Sequence, residues 1–345
     1  MRAFAHPDQT RHSPHFFLQR GSVRRNFEIP QRAEALLAAL QGSGTAVETP
    51  PLVEPAALLD IHDAGYVAFL AEAAKAWAGL PEKGPEVVAN MHPSPEMLAQ
   101  GARLTSSILA RTGWYTADTA CPIGPGSWES ILSAASCALA AAGSVSAGGG
   151  LAYALSRPPG HHAYAARAGG HCYVNNSALA AERLRRGGAA RVAIIDIDAH
   201  HGNGTQGIFW ERDDVLTVSL HGDPAGYYPW YVGYDEERGG GRGLGHNHNL
   251  PLPRGSGDEA WLAALSHAVE RSQAFRPDAL VIPLGFDASE QEPLSFLKVT
   301  RDGFARAGAL LAGLGLPTVL VQEGGYNVDL IGNLLLSFLD GWHGR

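Results

Sequence analysis

The chain has 345 residues, 45% of them hydrophobic and 42 of them glycine, with a formal net charge of −8. That composition fits a packed α/β protein and excludes a disordered or fibrous one. The acidic balance argues against a nucleic-acid partner, which would need a basic face, and is compatible with a cationic substrate.

The N-terminal stretch MRAFAHPDQTRHSPHFF has no apolar signal-like core. No run approaches the roughly 20 apolar residues needed to span a bilayer. Cys121, Cys137 and Cys172 are too few, and odd in number, for a disulfide framework. The expectation is a cytoplasmic protein of a reducing compartment, with no membrane partner. Residues 80–128 are irregular and rich in Pro, Gly and Ser; within them only MLAQGARLTSSILART looks helical. They are expected to be an elaborated loop insertion in one domain spanning 1–345, and long loops in compact domains are usually functional.

Beyond Trp128 the pattern alternates. WESILSAASCALAAAG reads as a helix ending at Gly, LAYALS as a short strand, and NNSALAAERLRRGG as a helix with an Asn cap and a terminal Gly. RVAIIDID, VLTVSL, ALVIPLGFD and TVLVQEGGY are continuous apolar runs of the kind found in parallel strands covered on both faces. AWLAALSHAVERSQAF and DGFARAGALLAGLG supply helices between them. This predicts a doubly wound α/β sheet. Each unusual polar cluster follows the C-terminal end of an apolar run, the edge where such sheets place ligands.

Residues two apart on a strand share a face, so Asp198 and His200 can hold one metal, with Asp196 one step deeper on the same face. Asp287, at the end of VIPLGFD, could complete the set from a neighbouring strand. Three protein ligands with an open fourth position is the catalytic zinc pattern. One His with two carboxylates leaves iron(II) or cobalt open. Pro158-Pro159-Gly160 is a rigid turn that can aim His161 and His162 into a cleft, where adjacent imidazoles suit proton transfer near neutral pH. Gly169-Gly170 could bring backbone close to a ligand. Glu323-Gly324-Gly325-Tyr326 can turn a Tyr hydroxyl towards a developing oxyanion.

RPPGHHA, GGHCYVNN, DIDAHHGNGTQ, TVSLHGDP, GFDASEQEP and QEGGY, with FEIPQRAE and HDAGYVAFL nearer the N-terminus, together resemble the histone deacetylase family, and within it the bacterial acetylpolyamine amidohydrolases. The resemblance covers nearly the whole chain. It implies the arginase/deacetylase α/β fold, a mostly parallel sheet of about eight strands with helices on both faces. It implies zinc on Asp198, His200 and Asp287. Potassium would lie beside it, on backbone oxygens of Asp196, Asp198 and His200 with Ser219 and Leu220. His161 and His162 match the tandem catalytic histidines and Tyr326 the catalytic tyrosine. Asp196 matches the support of the first histidine and Asn203 that of the second, where class I histone deacetylases carry Asp. Gly170, His171 and Tyr228 fall where the family lines its acyl-lysine tunnel; an aromatic is usual at 171, so His171 is a departure.

The implied activity is zinc-dependent deacetylation of small acylated amines such as acetylpolyamines. Metal would activate water, His162 would act as base, and Tyr326 would stabilise the oxyanion. An acetyl-lysine protein deacetylase is the alternative within the family. The 80–128 segment resembles the insertion that helps form a homodimer and narrows the entrance in polyamine deacetylases. Acidic residues at the mouth would then meet the substrate's ammonium groups, with Asp118 and Glu292 as candidates beside Glu96 and Glu290. A binuclear manganese ureohydrolase of the arginase type would need carboxylates where Gly202 and Ser289 stand. A non-catalytic sensor would not need the full set of candidate catalytic residues present here.

Overall fold

The computed structural model describes all residues from 1 to 345. Strands β1 (Arg2–Phe4), β4 (Val47–Glu48), β5 (Leu151–Ala154), β6 (Val192–Asp196), β7 (Val215–Gly222), β8 (Asn247–Leu252), β9 (Ala279–Leu284) and β10 (Thr318–Gln322) form one sheet of eight, in the order β4-β1-β5-β10-β9-β6-β7-β8. Every pairing in it is parallel. A separate antiparallel hairpin joins β2 (Phe16–Gln19) to β3 (Ser22–Arg25).

Ten helices accompany the strands: α1 (Gln31–Gly42), α2 (Ala64–Ala78), α3 (Pro95–Ala99), α4 (Ile108–Tyr115), α5 (Ser127–Ser146), α6 (Asn176–Arg186), α7 (Asn203–Phe209), α8 (Asp258–Phe275), α9 (Arg301–Ala312) and α10 (Ile331–His343). Alternate strand residues feed two cores, as a doubly covered sheet requires. Leu280, Ile282 and Leu320 pack with α1, α8, α9 and α10 on one face. Val281, Val319 and Val321 pack with α5 and α6 on the other. A third core, around Tyr66, Phe69 and Tyr115, holds α2 and the 80–128 segment to α5 and the turn at Tyr173.

Two expectations are corrected. MLAQGARLTSSILART is not one helix: Gly101 takes the left-handed region at φ 83°, and α3 and α4 are separate short pieces. Helix α5 is, by length and composition, apolar enough to cross a membrane, although no such run was expected. Its Ile131, Ala134, Ala135, Cys137, Ala138 and Ala141 are at most 1% exposed, so its apolar character serves the protein core.

Strands β5, β10, β9 and β6 are neighbours. Their C-terminal loops bring the His-His turn, the Glu-Gly-Gly-Tyr turn, the Asp287 loop and the Asp196–His200 loop side by side, as crossovers in an open α/β sheet do. Beneath them lies a buried charge cluster. Glu28 accepts from Arg32 Nη1 at 2.8 Å and from Arg157 Nη2 at 2.9 Å, and none of the three side chains exceeds 1% exposure. Arg157 also donates to the carbonyls of Gln9 and His12, tying the N-terminal segment to the base of the His-His turn. Glu28→Ala would leave two buried guanidinium groups without a counter-charge. We expect it to cost about 3–5 kcal/mol in urea unfolding; a loss under about 1 kcal/mol would show that the cluster does not hold this end of the molecule.

Candidate metal centre and active site

Asp196 ends β6, and the chain then curls so that backbone amides serve carboxylates. Asp196 Oδ1 accepts from Asp198 N–H at 3.1 Å, and Asp198 Oδ1 from His200 N–H at 2.9 Å. From adjoining loops, Gly324 N–H donates to Asp198 Oδ2 at 2.8 Å and Asp287 Oδ1 accepts from Ala199 N–H at 2.8 Å. Side chains at Gly285 and Gly324 would collide with these carboxylates, so glycine is what lets three loops converge.

Asp198, His200 and Asp287 offer ligand atoms that all lie within 4.8 Å of one another. His200 Nδ1 lies 2.9 Å from Asp287 Oδ2 and 3.3 Å from Asp198 Oδ1. Asp198 and Asp287 are fully buried, and their ion-pair partners are histidines, with no arginine or lysine. Burial opposes charge on His200, but Asp287 and Asp198 outweigh it and raise its pKa to about 9. Two buried carboxylates converging on one imidazole, with no arginine or lysine beside them, could serve as the donor set of a divalent metal, and zinc fits it.

The tandem histidines have contrasting partners. His161 Nδ1 faces Asp196 Oδ2 at 2.9 Å, and its Nε2 is 3.7 Å from Asp198 Oδ1. Burial disfavours the imidazolium, yet Asp198 and Asp196 overcome it and hold His161 well above the usual histidine pKa. His162 Nδ1 meets Asn203 Oδ1 at 2.6 Å. Burial, then the charges of His161 and His200, hold it well below the usual value. An amide oxygen can only accept, so His162 Nδ1 is the donor and Nε2 keeps its lone pair. The two rings are 4.0 Å apart between centroids.

Each expected wall residue has a definite place. Tyr228 is edge-on to His162, with centroids 4.9 Å apart, and its hydroxyl donates to Asp118 Oδ2 at 2.6 Å. Gly170, at φ 53°, donates its N–H to the same oxygen at 3.0 Å. A Cβ at Gly170 would strike the His162 ring. His171 is 7% exposed, held between Phe17 and Tyr326, and burial lowers its pKa to about 4. Tyr326 lies with its ring 4.8 Å from the Arg32 guanidinium carbon. Asp196 pairs in register with Ser219, which is followed by Leu220 on β7. Asp118 is therefore in the site wall, and Glu96 and Glu290 are exposed.

Glu292 requires a correction. It is 7% exposed, and both of its oxygens accept backbone amides of the Tyr326 turn, so it is not an ammonium receptor at the entrance. Three contributors were given no role from the sequence, although Arg32 and Glu323 lie in FEIPQRAE and QEGGY. Tyr227 stacks on His200 at 4.4 Å. Glu323, pushed up to about 7 by burial, accepts from Gly160 N–H at 2.6 Å, from His161 N–H at 3.1 Å and from the Ser177 hydroxyl. Arg32 donates to the carbonyls of Gly325 and Glu323.

The Histone deacetylase domain matches residues 26–341. The chain is 43% identical over 343 residues to an acetylpolyamine amidohydrolase of Burkholderia pseudomallei, covering 99% of this chain and 98% of that one. It is 42% identical over 325 residues to acetylpolyamine amidohydrolase 1 of Pseudomonas aeruginosa, covering 94% and 93%. The crystal structure of the acetylpolyamine aminohydrolase from Burkholderia pseudomallei superposes with a TM-score of 0.95 at 43% identity, covering 99% and 98%.

The Asn203 contact generates a pH prediction. Asn203→Asp puts a carboxylate on His162 Nδ1 and stabilises the imidazolium, so the pKa of His162 rises. If the neutral ring is the active form, the acid limb of kcat/KM moves to higher pH by about 1 unit or more. An unmoved acid limb would show that His162 is not the group titrating there.

Proposed function

The chain belongs to the histone deacetylase family, and on that premise we propose that it is a zinc-dependent amidohydrolase removing acetyl or short acyl groups from small acylated amines such as acetylpolyamines. One observation carries the reading: beside the Asp198–His200–Asp287 set stand two adjacent imidazoles with contrasting partners, His161 against the Asp196 carboxylate and His162 against the Asn203 amide oxygen.

Bound at Asp198, His200 and Asp287, zinc would supply Lewis acidity at the acyl oxygen and make water nucleophilic near neutral pH. Neutral His162 accepts the proton of the attacking water at Nε2. Charged His161 beside it offsets negative charge as it develops, and the departing amine takes its proton from His162 or His161. Tyr326 donates its hydroxyl to the carbonyl oxygen as charge builds there. Burial pushes that hydroxyl's pKa well up, so it stays protonated through the working range. A binuclear ureohydrolase is disfavoured: a side chain at 202 would run into the Asp196 carboxylate, and position 289 is a buried serine.

The names of the relatives support the acetylpolyamine assignment, and the carboxylate of Asp118 beside Tyr228 supports recognition of an ammonium group. We also assign a structural potassium to the adjoining Asp196, Asp198, His200, Ser219 and Leu220 group, supported by the Asp196–Ser219 register. A homodimer contact is assigned to the 80–128 segment, where Met91, Met97, Leu98, Leu104 and Leu109 are all at least 40% exposed.

Side-by-side kcat/KM values for acetylputrescine, acetylcadaverine, acetylspermidine and an acetyl-lysine peptide test the assignment. The small amines should exceed the peptide by about tenfold or more. Chelation should abolish turnover, and one zinc per chain should restore it. A faster peptide would move the substrate to acetyl-lysine proteins, and two tightly bound ions per chain would revive the binuclear reading. For the dimer, Met91→Asp combined with Leu98→Asp should halve the mass measured by light scattering. An unchanged mass would exclude these side chains from the contact.

A further inference from the structure

Tyr326 can serve an oxyanion only if its turn is fixed, and the Glu-Gly-Gly-Tyr segment is poorly suited to fixing itself. Gly324 and Gly325 have no side chains, and Gly325 takes φ 113°. Two buried groups grip the turn from outside. On its carbonyl side, Arg32 Nε donates to Gly325 O at 2.5 Å and Nη2 donates to Glu323 O. On its amide side, Glu292 Oε2 accepts from Tyr326 N–H at 2.8 Å and Oε1 from Asn327 N–H at 2.9 Å. A third bond, Asn327 Nδ2 to Gln291 O at 3.0 Å, stitches the same two loops. Burial pushes the Glu292 carboxyl up to about 7; above that pH it is a charged acceptor, and its bonds to two successive amides are then roughly twice as strong as neutral ones, while 7% exposure keeps water from competing.

We propose that Glu292 is the positioning residue of the catalytic tyrosine: its two-point hold on the Tyr326 and Asn327 amides fixes the phenol relative to the loop that carries Asp287. The inference rests on the oxyanion role proposed above for Tyr326. Glu292 lies only five residues beyond Asp287, so one loop supplies both a metal ligand and the clamp on the oxyanion donor. The position of Tyr326 is thereby tied to the metal site through a short backbone segment. The hydrogen bonds of the Glu292 side chain go to the Tyr326 and Asn327 amides, so its proposed effect runs through the tyrosine.

Glu292→Gln preserves shape but turns an NH2 group towards a backbone N–H, so one of the two holds is lost. In the metal-loaded enzyme, kcat should fall roughly 10- to 100-fold with KM changed less than about threefold. Metal content per chain should stay at the wild-type value. Glu292→Asp keeps both acceptor oxygens and should recover most of the loss. Tyr326→Phe alone should lower kcat by about 100-fold or more, and adding Glu292→Gln to it should cost less than about threefold further, because the two act as a unit. Full multiplication of the two losses, or loss of metal in Glu292→Gln, would overturn the positioning role. Full activity of Tyr326→Phe would instead overturn the oxyanion role on which it rests.

Discussion

Asp196, Asp198 and Asp287 are buried together at one sheet edge with no arginine or lysine beside them, and the surrounding site depends on that concentration of negative charge. An unpaired buried carboxylate is costly enough that it normally takes a proton or finds a cation. Here the compensation comes in layers. Backbone amides of Asp198, Ala199, His200 and Gly324 point at the oxygens, His161 and His200 are drawn towards the charged form, and glycines at 285 and 324 let the amides come close. A divalent ion completes the same balance with one group. The arrangement that stabilises the fold locally is thus also the arrangement that would bind metal.

A second constraint is that the candidate catalytic side chains stand on glycine- and proline-rich turns with little rigidity of their own. The structure holds each turn through its backbone amides, using a carboxylate from elsewhere in the chain. Glu323 holds Gly160 and His161, Asp118 holds Gly170, and Glu292 holds Tyr326 and Asn327. Because β5, β10 and β9 are sheet neighbours, the Glu323 and Glu292 grips run between adjacent loops, whereas Asp118 reaches Gly170 from the 80–128 segment. The Glu28–Arg32–Arg157 cluster carries the linkage below, through Arg32 to the Tyr326 turn and through Arg157 to the start of the His-His turn.

The sheet and part of the site were legible in the sequence. The long apolar runs declared a doubly covered sheet, and Asp198 and His200 were legible as candidate ligands, although β6 ends at Asp196 and it is the curl after it, not a strand period, that brings them together. Other features carry no such signal. The β8 run NHNLPL opens with three polar residues and includes a proline, so it does not resemble the other core strands. Glu28 meets Arg157 across 129 positions, a pairing that only the topology creates. Glu292 looked like an exposed loop acid because its partners are backbone amides, which every residue but proline carries. Tyr227 was eclipsed by its neighbour Tyr228, and only the fold reveals which of the two rings stacks on His200.

The same accounting of lone pairs bears on substrate choice. Asp118 Oδ2 already accepts from Tyr228 and Gly170, and Oδ1 from Ala120 N–H at 2.8 Å and weakly from the Cys121 thiol at 3.8 Å. A carboxylate offers about four acceptor sites, so little capacity is left for a further donor. On the proposed reading, that remaining capacity suits one ammonium group at a fixed distance from the acyl carbon, and it does not suit a cluster of charges. Discrimination among acylated amines would then follow chain length between the amide and its nearest charge. Total charge would matter less, because Glu292, another of the acidic residues expected at the mouth, is committed to holding Tyr326.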